Sequence, residues 1–324
     1  MFAAVGALVV IGLVWFALQA YPLGGAGQEV IVTVHPGDSM AVIAGQMHTA
    51  GVIGSPFAFR LDTLVFGAPL VRPGSYEIAQ NSTFAHVKAI FGAEPNVQVV
   101  PVSAGLTLHE VALLVASAKG NTFATTFVQD ASAAAATNAF HPNGSLEGLI
   151  GVGQYIVMPT DTPAMLLARM TSSFTAQASA VGLTPSTSLD GLDAYQLLIA
   201  ASIVEKEGYI PLNMPKVARV IFNRLARGMR LQMDTTVLYY LGLDGGTVTH
   251  AMLETKTPYN TYLANGLTPT PICSVSTTAL RAVLHAPLGQ WLYFQLIDKN
   301  GNEAFVTTFS EQLANERLAA SRGI

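Results

Sequence analysis

The chain has 324 residues, enough for one large or two ordinary domains with a buried core. A formal charge of −4, with 51% hydrophobic and 11% charged residues, leaves no electrostatic footprint for nucleic acid. Its one cysteine, Cys273, excludes an intrachain disulfide.

Residues 2–20 carry no charge. About 20 apolar residues at ~1.5 Å each cover a bilayer core of about 30 Å, so the expectation is a single transmembrane anchor over residues 1–21 and a linker over 22–28. A cleaved signal peptide is disfavoured by the length of the run and its lack of a basic start. A buried core helix is the weaker alternative. The first positive residue is Arg60, so the positive-inside rule gives no orientation.

Beyond the linker, Glu29–Val34 reads as a strand. Asp38 or Ser39 can cap a helix through Ala50 that ends at Gly51, and Ser55-Pro56 opens a second helix with proline at the favoured first position. A strand near Ser75–Ile78 completes a β-α-α-β order over residues 29–95. This order resembles the LysM-type module, which binds glycans containing N-acetylglucosamine, although any small α+β module fits the same residues. Helices over Ser82–Phe91 and Thr107–Ser117 flank a strand at Val97–Val102. Asn121–Asn143 is rich in Ala, Thr and Ser with little periodic pattern, and reads as a mobile or peripheral insert. Thr162-Pro163 starts a helix with Leu166, Leu167, Met170 and Phe174 on one face, and Gly182–Leu192 reads as a loop. The fold class is α+β, with an N-terminal transmembrane helix, the small module and a mixed α+β domain over residues 96–324.

The ionisable groups concentrate between Leu197 and Tyr262. Of sixteen Lys and Arg, six lie from Lys206 to Arg230, among Glu205, Glu207 and Asp234. Asp193 and Gln196 have the spacing of a capping box, which predicts a helix from Ala194 to Glu207 that stops at Gly208. Ala200, Ile203 and Val204 lie behind Glu207; Leu198, Ala201 and Ser202 lie behind Glu205. Two residues apart, the carboxylates diverge by about 200°. Both faces upstream are apolar, so periodicity leaves the choice between them open. A carboxyl at the end of a buried helix has its pKa raised by desolvation, which suits a general acid; the competing reading is an ion pair with Lys206 or an arginine downstream.

Pro215 begins the next helix, with Val217, Val220, Ile221 and Leu225 as its apolar stripe. Asn223, off that stripe, faces either a cleft or solvent. Gln232, Asp234 and Thr236 alternate at period two, so in an extended segment they project from one face, lining a sugar groove or an ordinary solvated edge. No HExxH, CxxC, GxSxG, SxxK, P-loop or GxGxxG word occurs, and the seven histidines are scattered. Neither a metal site nor a cofactor is expected.

The words SIVEKE (202–207), PKVA (215–218), FNRL (222–225), GMRLQ (228–232), Asp234-x-Thr236-Val237, ETKTPYNTY (254–262), GL-x-P (266–269) and WLYF (291–294) resemble the MltG, or YceG-like, family of endolytic murein transglycosylases. The match is dense from Leu197 to Leu267, and thinner over Val30–Leu108 and Leu280–Phe309. The resemblance implies a membrane-anchored protein of the bacterial plasma membrane with an extracytoplasmic catalytic domain. It also implies cleavage of the MurNAc–GlcNAc β-1,4 bond of nascent peptidoglycan strands, leaving a 1,6-anhydroMurNAc end. Peptidoglycan, the membrane and the peptidoglycan synthases of the elongation or division machinery are the implied partners.

The family's catalytic acid falls on Glu207 and leaves Glu205 as an ion-pair partner. Tyr259, Asn260 and Thr261 match the family's PYNTY word and are expected sugar or peptide contacts beside Asn223, Gln232, Asp234 and Thr236. A weakened peptidoglycan-binding or scaffold protein of the same fold is the alternative. The chain departs from the family pattern at Ala104-Gly105, at Val152–Gln154 after an intact Glu147-Gly148, at Asn213-Met214, at Thr268–Ile272 and at Gln312-Leu313.

Overall fold

The computed structural model describes residues 2–140, 144–208 and 210–324, the side chains of residues 2–5 excepted. It divides into two compact units, Met1–Val99 with Ile156–Asp161 and Val100–Tyr155 with Thr162–Ile324. The return of 156–161 to the first unit is a discontinuity that no composition shift announces.

The first unit contains α1 (Phe2–Ala20), β1 (Glu29–Val34), α2 (Met40–Thr49), α3 (Pro56–Phe66), β2 (Gly74–Ala79) and α4 (Phe84–Gly92). β1 and β2 pair antiparallel with Val32 opposite Tyr76. Ser39 and Ser55 accept the N–H groups of Val42 and Ala58 and start α2 and α3. Met47, Phe59, Tyr76, Ile78, Phe84 and Phe91 form the buried core, with Phe59 against Phe84 and Tyr76 against Phe91, both edge to face.

The membrane anchor expected over residues 1–21 is corrected here, and with it the single-pass plasma-membrane localisation. Among the described residues no helix is long and apolar enough to cross a membrane. The physical reason lies at the C-terminal turns of α1, which are built into the first unit. Ala20 is buried in its core and Phe16 packs against it, the Phe16 ring meeting Phe84 edge to face and the Trp15 ring lying 6.5 Å from Phe57. A Cβ on Gly54 would stand 2.5 Å from the Gln19 side chain. The apolar side chains of those last turns serve the protein core. The 22–28 segment is likewise tied down, since Asn81 donates to the Leu23 and Gly25 carbonyls and Gly27 N–H donates to Gln80.

The remaining elements are β3 (Gln98–Val102), α5 (Leu108–Lys119), α6 (Asn121–Ala135), β4 (Gly153–Val157), α7 (Pro163–Ala180), β5 (Ser188–Leu189), β6 (Leu192–Asp193), α8 (Ala194–Glu207), α9 (Met214–Ala226), α10 (Asp234–Tyr240), α11 (His250–Leu253), α12 (Thr277–Leu284), β7 (Tyr293–Leu296), β8 (Glu303–Val306) and α13 (Phe309–Ser321). The sheets among them are two-stranded ladders, β3–β4, β5–β6 and β7–β8. In the second unit, α8, α9 and α12 pack against one another, α5, α6 and α7 form a second group, and α13 covers the β7–β8 hairpin.

The expected insert is largely the ordered helix α6; its last residues, 141–143, lie outside the described residues. Ala124, Phe127, Ala131 and Ala135 are buried at helical spacing. Alanine conceals such a stripe because it is equally at home on the exposed face. Phe127 fills the centre of the stripe and is fully buried, so Phe127→Ala should destabilise the second unit by about 3–5 kcal/mol. Urea unfolding measures this, and a loss below about 1 kcal/mol would return the segment to a peripheral role.

Candidate active site

The capping box at the start of α8 is present. Asp193 Oδ1 accepts from Gln196 N–H at 2.8 Å, and Gln196 Oε1 accepts from Asp193 N–H at 3.0 Å. From Leu197 to Val204 every residue is buried, so the helix is encased on all sides. The polar groups at its C-terminal end must find partners in neighbouring segments. Lys206 Nζ donates to Asp244 at 2.6 Å and to the Gly105 carbonyl at 3.3 Å. Glu205, expected in an ion pair, instead accepts the Ser276 hydroxyl at 2.6 Å and the Ser276 N–H at 2.9 Å, next to the cap of α12. Glu207 Oε1 accepts the Thr235 hydroxyl at 2.7 Å and the Thr235 N–H at 3.3 Å. Burial raises the Glu207 pKa; the two Thr235 donors oppose that rise, the nearby Asp234 charge adds to it and Arg224 opposes it.

Beside this helix end lies a cavity of about 770 Å³, with Glu147, Glu205, Lys206, Thr235, Tyr239 and Tyr259 in its wall. Glu205 lines the cavity directly, while Glu207 meets its wall through Thr235. The divergence of about 200° therefore does not send the two carboxylates to unrelated places, because α10 folds back over the end of α8. The wall has an aromatic side: the Tyr239 and Tyr259 rings are 5.2 Å apart, and Tyr240 stacks on Tyr259 at 6.1 Å.

Glu147 is a site residue that the sequence reading did not select. The residue is 5% exposed, and its carboxylate accepts Leu108 N–H at 2.9 Å and the Tyr239 hydroxyl at 3.1 Å. Burial pushes its pKa up to about 7, with those two donors holding it down and the Glu110 charge adding to the rise. The available signal was a lone carboxyl inside the apolar run from Leu146 to Val152. Its neighbour Gly148 sits at φ 75°, and a Cβ there would come within 2.4 Å of Pro271. Among the described residues no group of three or more His, Cys, Asp or Glu side chains is arranged to hold a metal ion.

A family model described as the YceG-like family matches residues 32–318. The chain belongs to the YceG-like family. The endolytic murein transglycosylase of Bacillus subtilis (strain 168) is 27% identical to it over 312 residues, covering 90% of this chain and 86% of that protein. The protein of the same name from Streptococcus pneumoniae serotype 2 (strain D39) is 31% identical over 154 residues, 46% of this chain and 28% of that one. A crystal structure of a yceG-like protein from Listeria monocytogenes shares the fold, with a TM-score of 0.59 at 24% identity, covering 89% of this chain and 99% of that one.

In this YceG-like chain the residues expected to meet substrate divide into two groups. Tyr259 lines the cavity, and Asp234 and Gln232 are exposed. Asn223, Thr236, Asn260 and Thr261 instead hold backbone. Asn223 donates to the Gly289 and Trp291 carbonyls. Asn260, fully buried, donates to those of Leu253 and Thr255. Thr261 accepts Met233 N–H and shares a hydrogen bond with Thr236, which also donates to Met233 O.

The expectation that Gln232, Asp234 and Thr236 share a strand face is corrected. Gln232 adopts φ 50° and Asp234 begins a helix, so the three side chains point in different directions. The departures from the family pattern have structural partners. Asn213 donates to the Gly301 carbonyl, Gln312 to Phe294 O, Gln295 and Glu316, and Val152 N–H to Gln177 Oε1.

Glu147 makes stability depend on pH. Its folded-state pKa lies above the ordinary 4.5, so the stability tied to its proton is complete below about pH 4.5 and is lost as pH rises through about 7. The loss approaches about 3 kcal/mol. Urea unfolding at pH 5 and pH 8 should show the decline in wild type and a shallower one in Glu147→Gln; equal slopes would remove the burial argument.

Proposed function

We propose that Glu207 is the single acid/base of a murein lytic transglycosylase. A relative named endolytic murein transglycosylase, matched over 90% of this chain, supports an activity of this class on murein. The finer assignment rests on one observation: a carboxyl at the end of a buried helix, with its pKa raised, is held by Thr235 against a cavity that has an aromatic side.

The reaction uses one carboxyl in two roles. Protonated Glu207 gives its proton to the oxygen of the MurNAc–GlcNAc β-1,4 bond as the C1–O bond breaks. The carboxylate then takes the proton of the MurNAc C6 hydroxyl, whose oxygen bonds to C1 and leaves the 1,6-anhydro end. No water is consumed and the acid is regenerated. Burial favours the protonated form that the first step requires, and the Thr235 donors stabilise the charged form that the second step uses. Tyr259 offers an aromatic face to a sugar ring. Asp234 accepts the Tyr262 hydroxyl beside Thr235, and both Asp234 and Gln232 are exposed to meet the strand. Cleavage within nascent strands terminates their elongation, and the peptidoglycan synthases extending them are the partners such an activity works beside.

Digestion of purified sacculi with wild type should release fragments ending in 1,6-anhydroMurNAc, and Glu207→Gln should lower the rate by about 10²–10⁴-fold. Fragments one water heavier would mark a hydrolase. Binding of sacculi without release by wild type would mark a scaffold of the same fold.

A further inference from the structure

The short helix α10 is held at both ends by carboxyl groups from different parts of the second unit. At its start, Thr235 gives its hydroxyl and its N–H to Glu207. At its end, Tyr239 gives its hydroxyl to Glu147. A seven-residue helix is about 10 Å long and rigid on this scale. A shift at Tyr239 therefore reaches Thr235.

Glu147 is itself fixed. Its other oxygen accepts the first N–H of α5, and Glu110 on α5, Tyr195 on α8 and Cys273 are the further titratable groups that feel its charge. It also lines the same cavity as Thr235 and Tyr239. Its two oxygens accept from two donors at once, Leu108 N–H and the Tyr239 hydroxyl, which an amide with a single acceptor oxygen does not reproduce.

We propose that Glu147 is a positioning residue for Glu207, acting through α10: its grip on Tyr239 at one end of the helix sets the Thr235 hydroxyl on Glu207 at the other. This rests on the reading of Glu207 as the acid. The consequence is signed. When the grip is lost, Glu207 loses donors that favour its charged form, so its pKa rises further. The pH above which the acid is deprotonated then moves up, and the second step, which uses the carboxylate, slows.

The test measures kcat and KM on purified glycan strands across pH 5–9 for wild type, Glu147→Gln, Tyr239→Phe, Thr235→Val and the double variants with Thr235→Val. Glu147→Gln and Tyr239→Phe should each lower kcat about tenfold, a loss of the size expected for one hydrogen bond to a charged group, with KM within about twofold. Each should move the alkaline limb of kcat to higher pH, and each should add little to Thr235→Val, because all three act through the Thr235–Glu207 contact.

An unchanged kcat, an unmoved limb, or effects that multiply independently of Thr235→Val overturn the proposal. If Glu147→Gln does not fold, Tyr239→Phe carries the test, since it keeps the ring and removes only the hydroxyl. Full activity in Glu207→Gln would show that the acid assignment itself has failed. Loss of activity there, with wild-type kinetics in Glu147→Gln and Tyr239→Phe, would remove the positioning role alone.

Discussion

A charge taken out of water must be met by donors or lose its charge, and the end of α8 is where this chain faces that constraint. The helix is encased from Leu197 to Val204, so Glu205, Lys206 and Glu207 emerge together from an apolar sheath. Each is met by a different segment: Glu205 by Ser276 at the cap of α12, Lys206 by Asp244 beyond α10 and by the Gly105 carbonyl, and Glu207 by Thr235 on α10. Gly105, Asp244 and Thr235 among these partners line the cavity. Satisfying the helix end and assembling the site are thus one event, which ties site geometry to the packing of the whole second unit.

The same constraint explains why two distant sequence words occur together. The turn before α10 is locked to the ETKTPYNTY segment: Gln232 N–H donates to Thr261 O and Met233 N–H donates to Thr261 Oγ1. Asn260 in turn accepts Tyr262 N–H and donates to two carbonyls upstream. These side chains are too buried to meet a glycan. What they do is set where Thr235 stands, and hence how Glu207 is held.

Local signals in the sequence translated directly into structure. Asp193 and Gln196 close their capping box, Ser55-Pro56 starts α3, and the carboxylates lie at the end of a helix buried on both faces. The readings that went astray needed tertiary information. Period-two spacing of Gln232, Asp234 and Thr236 cannot register a left-handed residue followed by a helix start. The alanine stripe of α6 has no hydrophobic contrast to reveal it. Asp190-Gly191, with both residues at positive φ, makes the tight β5–β6 hairpin inside what reads as a loop. An uncharged run such as 2–20 has the same composition whether its last turns meet lipid or the core of a small unit. Glu147 escaped for a related reason: its importance lies in Tyr239, ninety-two residues away.

The position of Arg224 decides whether Glu207 can act as an acid at all. A guanidinium paired directly with a carboxylate lowers its pKa by about 1–3 units, which would leave Glu207 ionised and unable to protonate a glycosidic oxygen. Arg224 is buried close enough to oppose the rise in the Glu207 pKa, but its Nε and Nη1 donate to the carbonyls of Leu292 and Leu231. Its guanidinium also lies over the Tyr293 ring at 5.2 Å. Those contacts hold the cation in a supporting role, bracing the β7 strand and the turn before α10. The direct contact with Glu207 goes to Thr235, a neutral donor strong enough to orient the carboxyl and too weak to strip its proton. Exchanging those roles would leave the Leu292 and Leu231 carbonyls without the Arg224 donors and would favour the charged form of Glu207.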